Sequence, residues 1–254
     1  MPVSSYELLP SVFRKQTDNV DGHNVTNDKY RSWAREVDLL RSFIHEASGI
    51  LSFPTNELKR WAEYAQHYGV PTRFLDWTSN PLVALYFCCR EQNQFDGTVY
   101  LLHGTNYKRF FVQHTKQPDN KTIGEMISEL LELKSDIEFP ILYTPYYVDA
   151  RMSAQSSYFM VWGKNEATLE EQLQGEQYEM LYPDLPNSGR CYSTHQEEAL
   201  WFKFSIPADR KQPLLHELDT VGINEKTLFP GLDGIGRYIE RKYRFDYAET
   251  ITSL

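Results

Sequence analysis

Between Gln66 and Ser79 the chain gathers Gln66, His67, Tyr68, Arg73, Asp76, Trp77, Thr78 and Ser79, flanked on both sides by apolar stretches. The punctuation around this run sets its path more tightly than anything else in the sequence. Upstream, Leu58, Trp61, Ala62 and Ala65 recur at helical spacing, Thr55 after Pro54 can cap the start, and Gly69 and Pro71 stop the helix. Phe74-Leu75 then reads as a short extended segment and Asp76-Trp77-Thr78-Ser79 as a turn. Asn80-Pro81 follows as N-cap and first residue of a helix through Leu85 and Phe87. A helix, strand, turn, helix path leaves free backbone N–H groups at the second helix start, a position suited to an anionic or polar ligand.

The rest of the chain mixes both periodicities. Lys15 to Asn27 reads as a polar loop. Tyr30, Trp33, Ala34, Val37, Leu40, Phe43, Ile44 and Ala47 form a helical core stripe that Asn27 or Asp28 can cap, with Gly49 placed for a left-handed end. Thr98–Leu102, Ile141–Tyr143, Tyr158–Trp162 and Ala199–Ile206 read as strands. Ile123–Leu131, a segment near Leu169 to Leu173, the stripe Leu214, Leu215, Leu218 and Val221, and a short stretch near Ile235 to Ile239 read as helices. The expected fold is α/β of the α+β kind: a single mixed domain over 1–254, with a central, partly antiparallel sheet flanked by helices. No internal repeat, low-complexity tract or Gly/Ser linker divides it.

Composition narrows the function classes. A formal net charge of -9 argues against a broad basic nucleic-acid-binding surface, since phosphate neutralisation supplies most of that affinity; a local basic cleft stays open. No stretch approaches about 18 consecutive apolar residues and the start lacks a signal-peptide pattern, so a cytoplasmic protein without membrane contact is expected. Three cysteines, Cys88, Cys89 and Cys191, match neither a disulfide framework nor a zinc spacing and read as reduced core thiols. Walker, zinc-helix, nucleophile-elbow and dinucleotide-glycine motifs are all missing, no metal site is expected, and no paired carboxylates point to glycosidic hydrolysis.

For the Gln66–Ser79 run two readings stand side by side. Its polar groups form one wall of a ligand site, or Arg73 pairs with Asp76, Trp77 packs, and Thr78 or Ser79 helps cap the following helix. His67 alone reads as a helix-terminal residue satisfied by a carbonyl.

The run Ala65-Gln66-His67-Tyr68-Gly69-Val70-Pro71-Thr72-Arg73-Phe74-Leu75-Asp76-Trp77-Thr78 resembles the strongest block of FRG domains. Leu8-Leu9-Pro10-Ser11-Val12-Phe13-Arg14, Arg151-Met152-Ser153-Ala154-Gln155 and Leu228-Phe229-Pro230-Gly231-Leu232 are similar to further blocks, so the resemblance puts the main blocks in 1–160 and the C-terminal strand and helices in 161–254. The aromatic-Arg-Gly motif that names the family does not occur; a shortened chain, a misassigned start and a natural loss are the alternatives.

The order of the blocks also looks like the ADP-ribosyltransferase plan. That resemblance implies NAD as substrate, with His67, Tyr68, Arg73, Asp76, Trp77, Ser79 and Arg151 binding it and Thr78, Gln155 and Glu198 at the reacting centre. An arginine would hold the pyrophosphate, hydroxyls the ribose, and an acid would stabilise the oxocarbenium as nicotinamide leaves. Because an amide cannot act as general base, Glu197 or Glu198 would be needed beside Gln155, although a solvated turn is the alternative place for that pair. The resemblance further implies a toxin or anti-phage effector with an antitoxin partner and an RNA or protein acceptor. Loss of the Arg-Gly pair leaves a non-catalytic nucleotide- or anion-binding module as the other reading.

Overall fold

The computed structural model describes residues 7–14, 16–20, 23–27, 33–50, 57–91, 93–115, 121–173, 177–179 and 200–252. The chain divides into two compact units: residues 1–76, 103–145 and 159–177 make unit 1, and residues 77–102, 146–158 and 178–254 make unit 2.

Unit 1 starts with a 3-10 turn, Ser11–Phe13, whose Val12 and Phe13 are buried. Val12 N–H donates to the Thr72 carbonyl at 3.4 Å, which ties the Leu8–Arg14 block to the segment entering Arg73. Where a polar loop was expected, a hairpin forms: β1 (Gln16–Val20) pairs antiparallel with β2 (His23–Asn27), Val20 opposite His23. Low β-propensity hid it, although Asp21-Gly22 between the two strands is the sequence signature of a two-residue hairpin link.

Helix α1 (Trp33–Ala47) follows. Leu40 is buried while Val37, Phe43, Ile44 and Ala47 are half-buried; of the two expected caps, Asn27 is the last residue of β2 and Asp28 lies outside the described residues, as do Tyr30 and Thr55. Gly49 is not among the glycines with positive φ, so the expected left-handed end is not used.

Helix α2 (Leu58–His67) starts at Glu57 as N-cap position and ends where Gly69 takes φ +81, the conformation only glycine adopts cheaply. It buries Trp61, Ala62 and Ala65. Strand β3 (Phe74–Thr78) runs through Asp76, Trp77 and Thr78 rather than turning at Asp76. Pairing explains the difference: β3, β6 (Ser157–Val161) and β5 (Ile141–Tyr143) form a three-stranded sheet in that order, and ladder bonds override local turn preference. Strands β3 and β6 each pass from one unit into the other along their length.

Aromatic faces fill the unit 1 core. Phe74 packs against Phe159 at 5.5 Å and edge-on to Tyr143 at 6.3 Å between centroids. Helix α4 (Gly104–His114), which pattern reading passed over, contributes Tyr107, Phe110 and Phe111, an i, i+3, i+4 set. Helix α5 (Ile123–Leu131) is closed by a capping box of Thr122 and Glu125 and buries Met126, Ile127, Leu130 and Leu131.

Unit 2 is built on α3 (Pro81–Cys89), with Asn80 accepting from Leu82 N–H at 3.0 Å and Pro81 at the first helical position, as the sequence indicates. Strand β4 (Gly97–Leu102) pairs antiparallel with β8 (Trp201–Ile206), and β7 (Gln177–Glu179) lies beside β8. Short helices α6 (Ala150–Ala154), α7 (Leu169–Gln172, in unit 1) and α9 (Glu225–Leu228) punctuate the chain. Val83, Tyr86 and Cys89 of α3 pack with Leu215 and Leu218 of α8 (Ala208–Thr220) and with Leu228 and Phe229. Cys88 and Cys89 are free thiols; Cys191 lies outside the described residues.

The final helix, α10 (Leu232–Thr252), far exceeds the short stretch expected near Ile235 to Ile239. Gly234 and Gly236 at its start break the propensity signal, and Ile235 and Ile239 are exposed, so no buried stripe advertises its length. The mixed α+β class is what folds, with the strands spread over three small sheets among the described residues.

Candidate functional site

The signature run spans both units, changing from one to the other between Asp76 and Trp77. In unit 1 its first half is a locking device. Arg73 is fully buried, and its partner is Glu36 of α1, not Asp76 as the sequence suggested. Arg73 donates from its backbone N–H to Glu36 Oε1 at 2.8 Å and from Nε to Oε2 at 2.5 Å. Burial pulls the Arg73 guanidinium below its ordinary value, against which Glu36 raises it. Glu36 lies three residues after Trp33 and four before Leu40, so a carboxylate on the apolar stripe was the available signal of a buried partner.

Asp76 instead accepts from Gln66 Nε2 at 2.7 Å, while Thr72 donates its hydroxyl to Gln66 Oε1 at 2.5 Å, which straps the end of α2 across the entry to β3. His67 closes α2 and meets Tyr68 edge-on at 5.0 Å; Tyr68 is 66% exposed. Glu63, buried one turn earlier, takes hydrogen bonds from Lys59 Nζ and Tyr143 Oη, each at 2.9 Å. Pattern reading did not single out this carboxylate; its place on the buried face, between Ala62 and Ala65, is the signal.

In unit 2 the second half of the run meets the Arg151–Gln155 block. Thr78 donates its hydroxyl to the Gln155 carbonyl at 2.7 Å and accepts from Asn80 N–H at 3.0 Å, so it links the two blocks and supports the start of α3. Ser79 N–H donates to the Ser156 carbonyl at 3.1 Å. Ser156 has φ 50, a left-handed conformation that a non-glycine residue holds at roughly 1 kcal/mol. Gln155 caps the end of α6, and its Nε2 donates to the Leu228 carbonyl at 2.9 Å. Trp77 is half-buried, and its indole N–H is shielded from solvent with no acceptor among the described residues. Glu197 and Glu198 lie outside the described residues.

Arg151, on α6, belongs to a further arrangement. Its guanidinium lies 4.8 Å from the ring centre of Phe229; Arg90, just past α3, lies at 5.2 Å and Arg237 of α10 at 5.4 Å from the same ring. Phe229 is 8% exposed. Each guanidinium gains about 0.5–1 kcal/mol from the ring face. Neither Arg90 nor Arg237 was singled out by the sequence; their spacing carries no motif, and only the fold brings them together.

Among the described residues no group of three or more His, Cys, Asp and Glu side chains is arranged to hold a metal, and no helix is long and apolar enough to cross a membrane.

An exposed-aromatic, arginine-lined α+β chain with a buried signature arginine is the class these observations define. The family model described as the FRG domain matches residues 2–97 of the chain. The matched span holds the Leu8–Arg14 block, α1, α2, β3 and α3, whereas Arg151–Gln155 and Leu228–Leu232 lie beyond it. No curated protein and no solved structure matches the chain.

Proposed function

We propose that the chain is a cytoplasmic nucleotide-binding module, taking an NAD-like anionic ligand against Trp77, Thr78 and Ser79 of unit 2 without turning it over. The observation that carries this reading is the Thr78–Gln155 junction. It joins two sequence blocks expected at one ligand, yet both polar side chains are committed to backbone groups: Thr78 Oγ1 to Gln155 O and Asn80 N, and Gln155 Nε2 to Leu228 O. Groups so fixed shape a site and do not move protons in it. Trp77 is half-buried, so the open part of its ring, not the enclosed indole N–H, is the surface offered to the ligand.

ADP-ribosyl transfer to RNA or protein, in a toxin or anti-phage effector restrained by an antitoxin, is the second reading. One observation favours it: β3 ends at Thr78 and passes through Ser79 and Asn80 directly into α3, the strand-and-turn element that the transferase resemblance calls for. That reading needs an acid at the C1′ centre, with Glu198 as its candidate.

Incubation with NAD labelled on the adenylate separates the two. Saturable binding with neither nicotinamide release nor label on RNA or protein is the expected result. Nicotinamide release or label transfer would replace the binding reading with the catalytic one, and absence of binding would sink both.

A further inference from the structure

The three arginines around Phe229 come from three separate stretches of chain, and all belong to unit 2. Each guanidinium lies within 5.4 Å of the same ring centre, so three positive charges are gathered round one side chain. The nearby carboxylates are committed elsewhere. Glu225 accepts two bonds from Arg241 Nε, at 2.8 and 2.9 Å, and Asp219 stands 3.5 Å from the same guanidinium. Glu240, three residues beyond Arg237, pairs with Arg244 at 2.6 Å. Among the described residues, Arg90 alone of the three has an acid, Glu91 at 3.3 Å, itself 70% exposed. Arg151 and Arg237 are exposed and make no ion pair among the described residues, whereas Arg241, one turn along from Arg237, is held by two carboxylates.

The platform beneath the arginines is rigid. Phe229 packs into the core with Val83, Tyr86 and Leu228 and meets Phe87 edge-on at 6.1 Å. Gln155 Nε2 clamps the Leu228 carbonyl just before it. A Cβ placed on Gly234 would stand 1.9 Å from the Phe229 carbonyl oxygen, so α10 leaves in close contact with the Phe229 turn. Guanidinium forks held over a fixed ring match phosphate oxygens bidentately, and three of them suit an anion with more than one phosphate.

We propose that Arg90, Arg151 and Arg237 form a diphosphate-binding site on unit 2, with Phe229 as its base. The ligand class is a diphosphate, whether free or as the bridge of a nucleotide; the nucleotide form rests on the binding reading above, the free form does not.

Titration calorimetry of the intact protein with inorganic pyrophosphate, orthophosphate, ADP and NAD tests it. Pyrophosphate is expected to bind saturably and more tightly than orthophosphate. Arg151→Gln and Arg237→Gln should each weaken it about ten- to hundredfold, the effect of losing one charged hydrogen-bond donor, without changing the melting temperature. Arg244→Gln, exposed on the same helix but outside the cluster, should leave the affinity unchanged. Competition of ADP with pyrophosphate identifies a nucleotide bridge, and pyrophosphate binding without ADP competition identifies the free anion; either supports the site. Failure of NAD to bind while pyrophosphate does overturns the nucleotide reading and upholds the site. No saturable pyrophosphate binding, unchanged affinity in both cluster variants, or an equal loss in Arg244→Gln overturns it.

Discussion

Arg73, at the centre of the Gln66–Ser79 run, is buried against Glu36 of α1 and bonds both of its carboxylate oxygens, one through the backbone N–H at 2.8 Å and the other through Nε at 2.5 Å. A residue whose type and neighbours suggest a phosphate ligand is thus, in this chain, the fastening between α1 and the entry to β3.

Removing one member of that fastening leaves a buried charge alone. Arg73→Ala or Glu36→Ala should each lower unfolding stability by roughly 3–5 kcal/mol in urea titrations, and the double replacement Glu36→Leu with Arg73→Met should recover a large part of the loss. Equal, small losses for all three would show that the pair is solvated and unimportant.

Gly234 gives a second stability prediction. Its substitution by alanine drives a Cβ to within 1.9 Å of the Phe229 carbonyl oxygen, whereas a Cβ at Gly236 meets open space. Gly234→Ala should therefore destabilise by about 1–3 kcal/mol, and Gly236→Ala, a helix position, should be neutral or stabilising by up to about 1 kcal/mol. Thermal melting of the two variants checks the contrast.

Alkaline pH should unfold the protein through its buried tyrosines. Burial holds the Tyr107 phenol above its ordinary value of 10.0 while its hydroxyl donates to the Pro140 carbonyl at 2.7 Å; burial and then Glu63 do the same for Tyr143. Both pKa values are raised on folding, so the folded state retains protons that the unfolded state releases. Their stabilisation is complete below the unfolded value and is lost as pH rises towards the folded value. Urea titrations from about pH 9 to 11.5 should show falling stability, with a shallower fall in Tyr107→Phe, which itself costs about 1 kcal/mol at neutral pH. An identical slope in Tyr107→Phe would contradict the assignment.

What the sequence made legible was local. Gly69, Pro71, Asn80 and Pro81 mark the ends of α2 and α3 because backbone conformation at those positions depends on the residue itself. The extension of β3 to Thr78 and the partnership of Arg73 with Glu36 depend on pairing with segments far along the chain, whereas the hairpin of β1 and β2 is local and was hidden by the polar, low-propensity residues of its strands. Arg90, Arg151 and Arg237 show this most plainly: they meet only because α3, α6 and α10 all border the Phe229 turn. Of the expected site residues, Thr78 and Gln155 are joined directly, and Arg73 and Asp76 take different partners in unit 1.

The proposed binding function divides the labour within one run of residues: Arg73 holds the fold, and Trp77 is the residue proposed to meet the ligand. Its most direct test measures NAD affinity and melting temperature on the same samples of Arg73→Lys and Trp77→Phe. Lysine keeps the backbone N–H bond to Glu36 but not the guanidinium fork that meets Oε2 through Nε and Nη2, so Arg73→Lys should lower the melting temperature by several degrees and leave NAD affinity within about twofold. Trp77→Phe shrinks the ring face offered to the ligand, so it should weaken NAD about five- to tenfold, with the melting temperature unchanged or slightly raised because the indole N–H has no acceptor among the described residues. The reverse pattern, affinity lost in Arg73→Lys at constant melting and retained in Trp77→Phe, would contradict the account.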